Sequence, residues 1–182
     1  MAKKVIKCSL SQKSIQNAIQ ELRNYQSDLS RKTELFVKKL AEVGIPVIDE
    51  NMAKASFTYD DKGIQSGSDT SHYTHVEIHT FGDYAQANLI VENKSILFIE
   101  FGAGVYYNGS VGASPHPKGQ EFGFLIGSYG AGHGQQKVWG YYDDSGQLVL
   151  THGVEATMPV LKAYNEIIQK CAKVAKEVFG DG

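Results

Sequence analysis

"THVEIHTFGDYAQANLIVE", residues 74–92, is the stretch that separates an all-helical chain from one with a sheet. In its first half Val76 and Ile78 alternate with His75, Glu77 and His79. In its second half Ala85, Ala87, Leu89 and Val91 alternate with Gln86, Asn88 and Glu92. A period of two puts each apolar set on one face of an extended chain. Gly82-Asp83 between the halves is turn chemistry, so the stretch reads as two half-buried strands joined by a tight turn.

Working outward, the period changes. Upstream, Ile15, Ile19, Leu22, Tyr25, Leu29, Phe36, Leu40 and Val43 recur at threes and fours among Lys, Gln, Glu and Ser, which predicts a long amphipathic helix from Ser11 to Gly44. Ser11 suits its start cap. Gly44-Ile45-Pro46 predicts its end, a left-handed cap residue followed by one that cannot join the helix ladder. Residues 45–57 then fit a second, shorter helix, and 59–69 a polar loop. Downstream, "SILFIEF" at 95–101 reads equally well as a buried strand or a short helix. "VWGYYDDSGQLVLT" at 138–151 is a hairpin turning at Asp143-Asp144-Ser145-Gly146. Met158-Pro159 opens a last amphipathic helix reaching Phe179, carried by Val160, Tyr164, Ile167, Cys171, Val174 and Val178. Helices segregated from strands predict one α+β domain over residues 1–182, with the N- and C-terminal helices packed on a small, mainly antiparallel sheet. Residues 102–136 form a Gly-rich loop much longer than an ordinary connection in a compact domain.

Composition narrows the function. In 182 residues, 18 Lys and Arg stand against 20 Asp and Glu, a formal charge of -2 that gives no overall basic field for nucleic acid or an anionic membrane. No apolar run approaches the ~20 residues of a spanning helix, and "MAKKVIKCSL" has no signal-peptide core, so the expectation is a soluble protein made in a cytoplasm. Cys8 and Cys171, far apart and outside any Cys-x-x-Cys pair, read as small buried apolar residues.

The histidines raise the question of catalysis. On a strand His75, Glu77 and His79 share one face, yet the two imidazoles lie roughly 13 Å apart along an extended backbone, too far for one metal to bridge. His116, His133 and His152, with Glu121, sit in loop surroundings at spacings that match no metal motif, and convergence of these loop histidines would make a metal-dependent hydrolase. Ser114, in Gly-Ala-Ser-Pro-His, lacks the second glycine of a nucleophile elbow. "GAGVYYNG" and "GSYGAGHG" lack both the Gly-Lys-Ser/Thr end of a phosphate loop and the strand–helix context of a dinucleotide site. No cofactor, metal or catalytic set is therefore assigned. Tyr106, Tyr107 and Tyr129, with Phe122, Phe124 and Trp139, are instead a composition suited to protein contacts. With only Lys118 and Lys137 along the loop, base stacking is disfavoured. Because the loop's apolar residues follow no period, they are expected to stay partly unburied in a monomer, in a segment mobile until a partner orders it.

"LFIEFGAGVYYNG", then "SPHPKG", "KVWGYYDDSGQL" and "THGVEATMPVLKAYNEI", resemble the phage tail-component family of long-tailed bacteriophages, in order and over about residues 35 to 170. Ile99, Glu100, Phe101, Gly102, Ala103 and Gly104 match that family's Val/Ile-Glu-Phe/Tyr-Gly-Thr/Ala-Gly block. His116-Pro117 match its loop, Trp139 to Tyr142 (with Tyr141) its Trp-x-Tyr hairpin, and Gly153, Ala156 and Pro159 its last block. Thr157-Met158 separates Ala156 from Pro159, and Val160 stands where the family usually has Phe. The resemblance implies an α+β neck or tail-completion protein in a virion assembled in the host cytoplasm. It also implies ring assembly as a homo-oligomer against a connector, tail terminator or tail tube, and no catalytic residues. On this reading Glu100 is a structural carboxylate near the loop's hinge, Gly102 and Gly104 are its flexible exit, and Tyr106, Tyr107, His116, Pro117, Phe122, Phe124 and Tyr129 are its contacts. A generic peptide-binding module is the remaining alternative.

Overall fold

The computed structural model describes residues 5–82, 84–105, 114–119, 121–124 and 137–180. Its elements are α1 (Gln12–Ala53), β1 (Thr58–Tyr59), β2 (Gln65–Ser66), β3 (Tyr73–Phe81), β4 (Tyr84–Glu92), α2 (Ile96–Phe101), β5 (Trp139–Tyr142), β6 (Leu148–Thr151) and α3 (Pro159–Phe179). The class is α+β, with long helices at either end of the sequence order. The strands divide into two sheets, a four-stranded one in the order β1-β2-β6-β5 and a ribbon of β3 and β4. Length argues for one domain; the chain gathers into two compact units interleaved in sequence, residues 1–44, 75–90 and 166–182 in the first and 45–74 and 91–165 in the second.

Helix α1 departs from the expected stop. Ser11 caps it, accepting from the Ser14 backbone N–H at 3.3 Å, but the helix passes through Gly44 and carries Pro46 inside it to Ala53. An interior proline removes one ladder bond and crowds a carbonyl a turn back, at about 3 kcal/mol. Beyond it, Ile48 and Met52 are fully buried, each contributing about 2–3 kcal/mol by leaving water. Asn51, also buried, is satisfied: its Nδ2 donates to the Val47 carbonyl at 2.8 Å and its Oδ1 accepts from Lys162 Nζ at 2.9 Å. Packing outweighs the local stop signal, so the expected second helix is the end of the first.

In the first unit, Phe36 of α1 packs against Phe179 of α3 with ring centroids 5.6 Å apart. Ala41, Val174 and Val178 are buried. Ile15, Ile19, Leu22, Tyr25 and Leu29, earlier along the same helix, remain 39–56% exposed. In the β3–β4 ribbon, Phe81 stacks on Tyr84 across the turn at 5.0 Å. Cys171 and Cys8 are both exposed rather than buried; Cys171 shares the helical spacing of Val174 and Val178, but of the three only the two valines are covered.

In the second unit, β5 and β6 pair antiparallel in the register Trp139↔Thr151 to Tyr142↔Leu148. Asp143 builds the turn, its Oδ1 accepting from the Ser145 and Gln147 backbone N–H groups at 2.9 Å each. The polar stretch 59–69 is more ordered than its composition predicts. Asp60 Oδ1 accepts from the Lys62 and Ile64 N–H groups at 2.9 and 2.8 Å, which folds β1 against β2 antiparallel. β2 then pairs with β6 in parallel at Gln65↔Thr151. The stretch at 95–101 resolves as helix α2, whose Ile99, Glu100 and Phe101 are buried.

Candidate functional site

Glu100 ends α2 with a carboxylate that is only 5% exposed. Its Oε2 accepts from the Val160 N–H at 2.7 Å and its Oε1 from the Leu161 N–H at 2.9 Å. These are two of the N–H groups that the start of α3 leaves without helical partners, and an anion is favoured there. Pro159, ahead of them, has no N–H to lose and is fully buried. A residue from a different helix thus caps α3. The Thr157 N–H, donating to the Ile99 carbonyl at 3.0 Å, ties the approach to α3 onto α2 as well. Met158, just ahead of Pro159, takes a left-handed φ of 55°.

The third group on Glu100 is His116, whose Nε2 lies 3.1 Å from Oε1. His116 Nδ1 accepts the Lys118 backbone N–H at 3.0 Å. An Nδ1 that accepts carries no proton, so the ring is the neutral tautomer donating Nε2–H to Glu100. The buried Ser114 Oγ donates to the Phe101 carbonyl and accepts the His116 N–H at 3.2 Å. Serine, histidine and glutamate therefore meet, which is the composition of a hydrolase triad. The wiring is not that of a triad: neither imidazole nitrogen faces the serine oxygen, and the hydroxyl proton is committed to a backbone carbonyl.

This node folds residues 114–119 and 121–124 back onto the unit. Phe124 N–H donates to Gly119 O at 2.8 Å and Ser114 N–H to Phe124 O at 3.1 Å. Phe101 receives Phe124 as a stacked ring at 4.5 Å and His116 edge-on at 4.4 Å. The expectation that these residues stay free for a partner changes accordingly. His116 is buried and Phe124 half-buried because a buried carboxylate and an apolar ring are waiting for them, whereas Phe122 stays 57% exposed and Pro117 is exposed. Tyr106, Tyr107, Tyr129 and His133 lie outside the described residues.

The glycines of the motif pack rather than flex. At Gly102 a side-chain carbon would meet Ala156 N at 3.2 Å, and at Gly104 the Trp139 ring, its Cε2 at 2.6 Å. Trp139 lies on Gly104 and donates its indole N–H to the Gly104 carbonyl at 2.9 Å. Ala103 and Val154 exchange backbone hydrogen bonds of 2.9 and 2.8 Å, and Gly153, at φ 96°, lets that contact close. Glu100, Phe101, Gly102, Gly104, Trp139, Gly153 and Pro159, scattered over sixty residues of sequence, are thus one contiguous assembly. The separate spacings gave no signal that Glu100 and His116 are partners.

Beside it opens a cleft of about 340 Å³ lined chiefly by Phe57, Phe98, Ala103, Trp139, Tyr141 and Val154, with Gln65, Ser68 and Thr151 among its polar groups. Tyr141 and Phe57 are 38% and 44% exposed. Gln65 Nε2 donates to Tyr141 Oη at 3.4 Å and steadies the ring.

The other histidines are engaged locally. His152 lies with Nδ1 2.7 Å from Lys137 O and Nε2 3.1 Å from Asp60 Oδ2. In the first unit Glu77 sits between His75 and His79 at 3.7 Å from each. Among the described residues no three His, Cys, Asp or Glu side chains form a metal-holding group. Glu121 is exposed. Set beside protein-family models, curated proteins and solved structures, the chain matches none of them.

Proposed function

We propose that this chain is a structural virion protein of a tailed bacteriophage or prophage, working at the head–tail joint by protein–protein assembly and not by catalysis. The observation that carries the reading is the aromatic cleft of Phe57, Phe98, Trp139 and Tyr141, open and largely apolar. Two of its rings are held, Trp139 by the Gly104 carbonyl and Tyr141 by Gln65, so a partner's apolar side chain meets them at little entropic cost. Large amphipathic rings held this way are the usual anchors of protein contacts. Two further features support the reading. The polar atoms of Ser114, His116 and Glu100 are committed within the chain, and the residues that resemble the tail-component pattern are packed together. The partners are the connector, tail terminator or tail tube and further copies of the chain. No cofactor is required, and among the described residues no helix is long and apolar enough to cross a membrane.

Deleting the gene from the phage or prophage that encodes it is expected to leave unjoined heads and tails under the electron microscope. Wild type supplied in trans restores joined particles; Tyr141→Glu, which puts a charge into the cleft mouth, does not, while the purified variant keeps its circular dichroism spectrum. Joined, infectious particles from the deletion would sink the reading. Metal-dependent ester or phosphodiester cleavage lost in His116→Ala would move the protein to the hydrolase class.

A further inference from the structure

Helix α1 carries a seam that neither the node nor the cleft uses. From Ile15 the positions Ile19, Leu22, Gln26, Leu29, Thr33, Phe36, Leu40 and Val43 follow one another at alternating steps of four and three, the spacing of coiled-coil core layers. Toward its C-terminal end the seam is occupied, Phe36 lying against Phe179. Its N-terminal layers are open: Ile15, Ile19, Leu22 and Leu29, with Tyr25 flanking them, are 39–56% exposed. These five side chains leave roughly 400 Å² of apolar surface in one strip, the size at which a patch on a monomer usually marks a contact.

We propose that this strip pairs with the same strip of a second copy of the chain, the two helices running in the same direction and in register as a short two-stranded coiled coil. Gln26 selects the occupant. An apolar helix laid along the seam would bury its amide without a partner, as would an antiparallel copy, which sets Gln26 against Ile15 or Leu22. A parallel copy sets Gln26 against Gln26, and each amide both donates and accepts. Ile19 in one type of core position with Leu22 and Leu29 in the other is the arrangement that favours two strands. The flanking positions raise no repulsion: Ala18 faces Arg23 of the second copy and Tyr25 faces Ser30. Two such helices over these five layers bury roughly 1,000–1,200 Å² in total, at the lower edge of specific interfaces, so the pair is reversible. The proposal rests on α1 alone and stands or falls separately from the viral reading.

Sedimentation equilibrium of the full chain tests it. Between about 1 and 500 µM we expect a monomer–dimer equilibrium with Kd of order 10–100 µM. Leu22→Glu, at an exposed position that leaves the fold intact, weakens it at least about tenfold by placing two carboxylates in the seam. In a Cys8→Ser, Cys171→Ser background, Gln26→Cys gives a disulfide-linked dimer under mild oxidation and Lys13→Cys, on the outer face, does not. A chain that stays monomeric throughout, a dimer indifferent to Leu22→Glu, or equal cross-linking at both positions overturns the proposal.

Discussion

Replacing Glu100 by Gln exchanges one carboxylate oxygen for an amide nitrogen that can only donate, facing an N–H group that also donates. Charge-assisted hydrogen bonds contribute about 1.5–3 kcal/mol each, and a buried donor left unmet costs a comparable amount. Glu100→Gln is therefore expected to destabilise the protein by about 2–4 kcal/mol, read as a fall in the urea midpoint; a change below about 0.5 kcal/mol would show that Glu100 does not cap α3. Gly104 offers an optical test, since Trp139 is the chain's one tryptophan. Gly104→Ala drives a methyl into the indole from a left-handed backbone position, with an expected loss of at least about 2 kcal/mol and a shifted emission maximum. Unchanged emission would count against the contact. At this scale the sequence was only half legible. Glu100 entered as a structural carboxylate only through the family resemblance; its partners, Val160 and Leu161 in one stretch and His116 in another, are connected to it by no local period. Gly102 and Gly104 read as flexible exits because glycine permits both freedom and close approach, and only the facing Ala156 and Trp139 decide between them.

Among the elements, α1 and its proline are the clearest case of tertiary packing overriding a local signal. Pro46→Ala restores a donor to the ladder at an exposed position, so it is expected to stabilise the protein by about 1–2 kcal/mol, the full interior penalty being reduced by whatever relaxation the native helix already has. A drop in melting temperature would mean that the proline is itself required. The long helix, the ribbon, the 138–151 hairpin and the last helix were all legible, because each sustains one period over enough residues to be unambiguous. The strands β1 and β2 were not. Two residues have no period, and these strands exist because Asp60 folds the turn between them and β6 lies alongside. The short helix at 96–101 was undecidable locally and is fixed by what surrounds Ile99, Glu100 and Phe101.

For the molecule as a whole, two histidines contribute to the dependence of stability on pH near neutrality. His72 has its Nδ1 2.7 Å from Thr70 O and its Nε2 2.9 Å from Asp49 Oδ1; His152 is likewise placed between Lys137 O and Asp60. Each ring meets two acceptors, so only the doubly protonated form makes both bonds. The hydrogen bond to Asp49 holds the His72 pKa above its ordinary 6.5 against the opposing effect of burial. The Lys137 carbonyl, and then Asp60, do the same for His152. Because the folded values are raised, their stabilisation is fully present below about pH 6.5 and is lost as pH rises through the raised values. The urea midpoint should fall between pH 6 and about 8.5, and His72→Gln with His152→Gln should flatten that slope. An unaltered slope in the double variant would remove the two histidines from the account.

The contact between Phe36 and Phe179 also has a meaning during synthesis. The first residue leaves the ribosome early, and its cover arrives from the opposite end of the sequence. At ~5–20 residues per second that interval is on the order of ten seconds. For all of it Phe36 is without that cover, so the nascent chain passes through an adhesive state before the first unit can close, and neighbouring chains on one message are the surfaces nearest to hand.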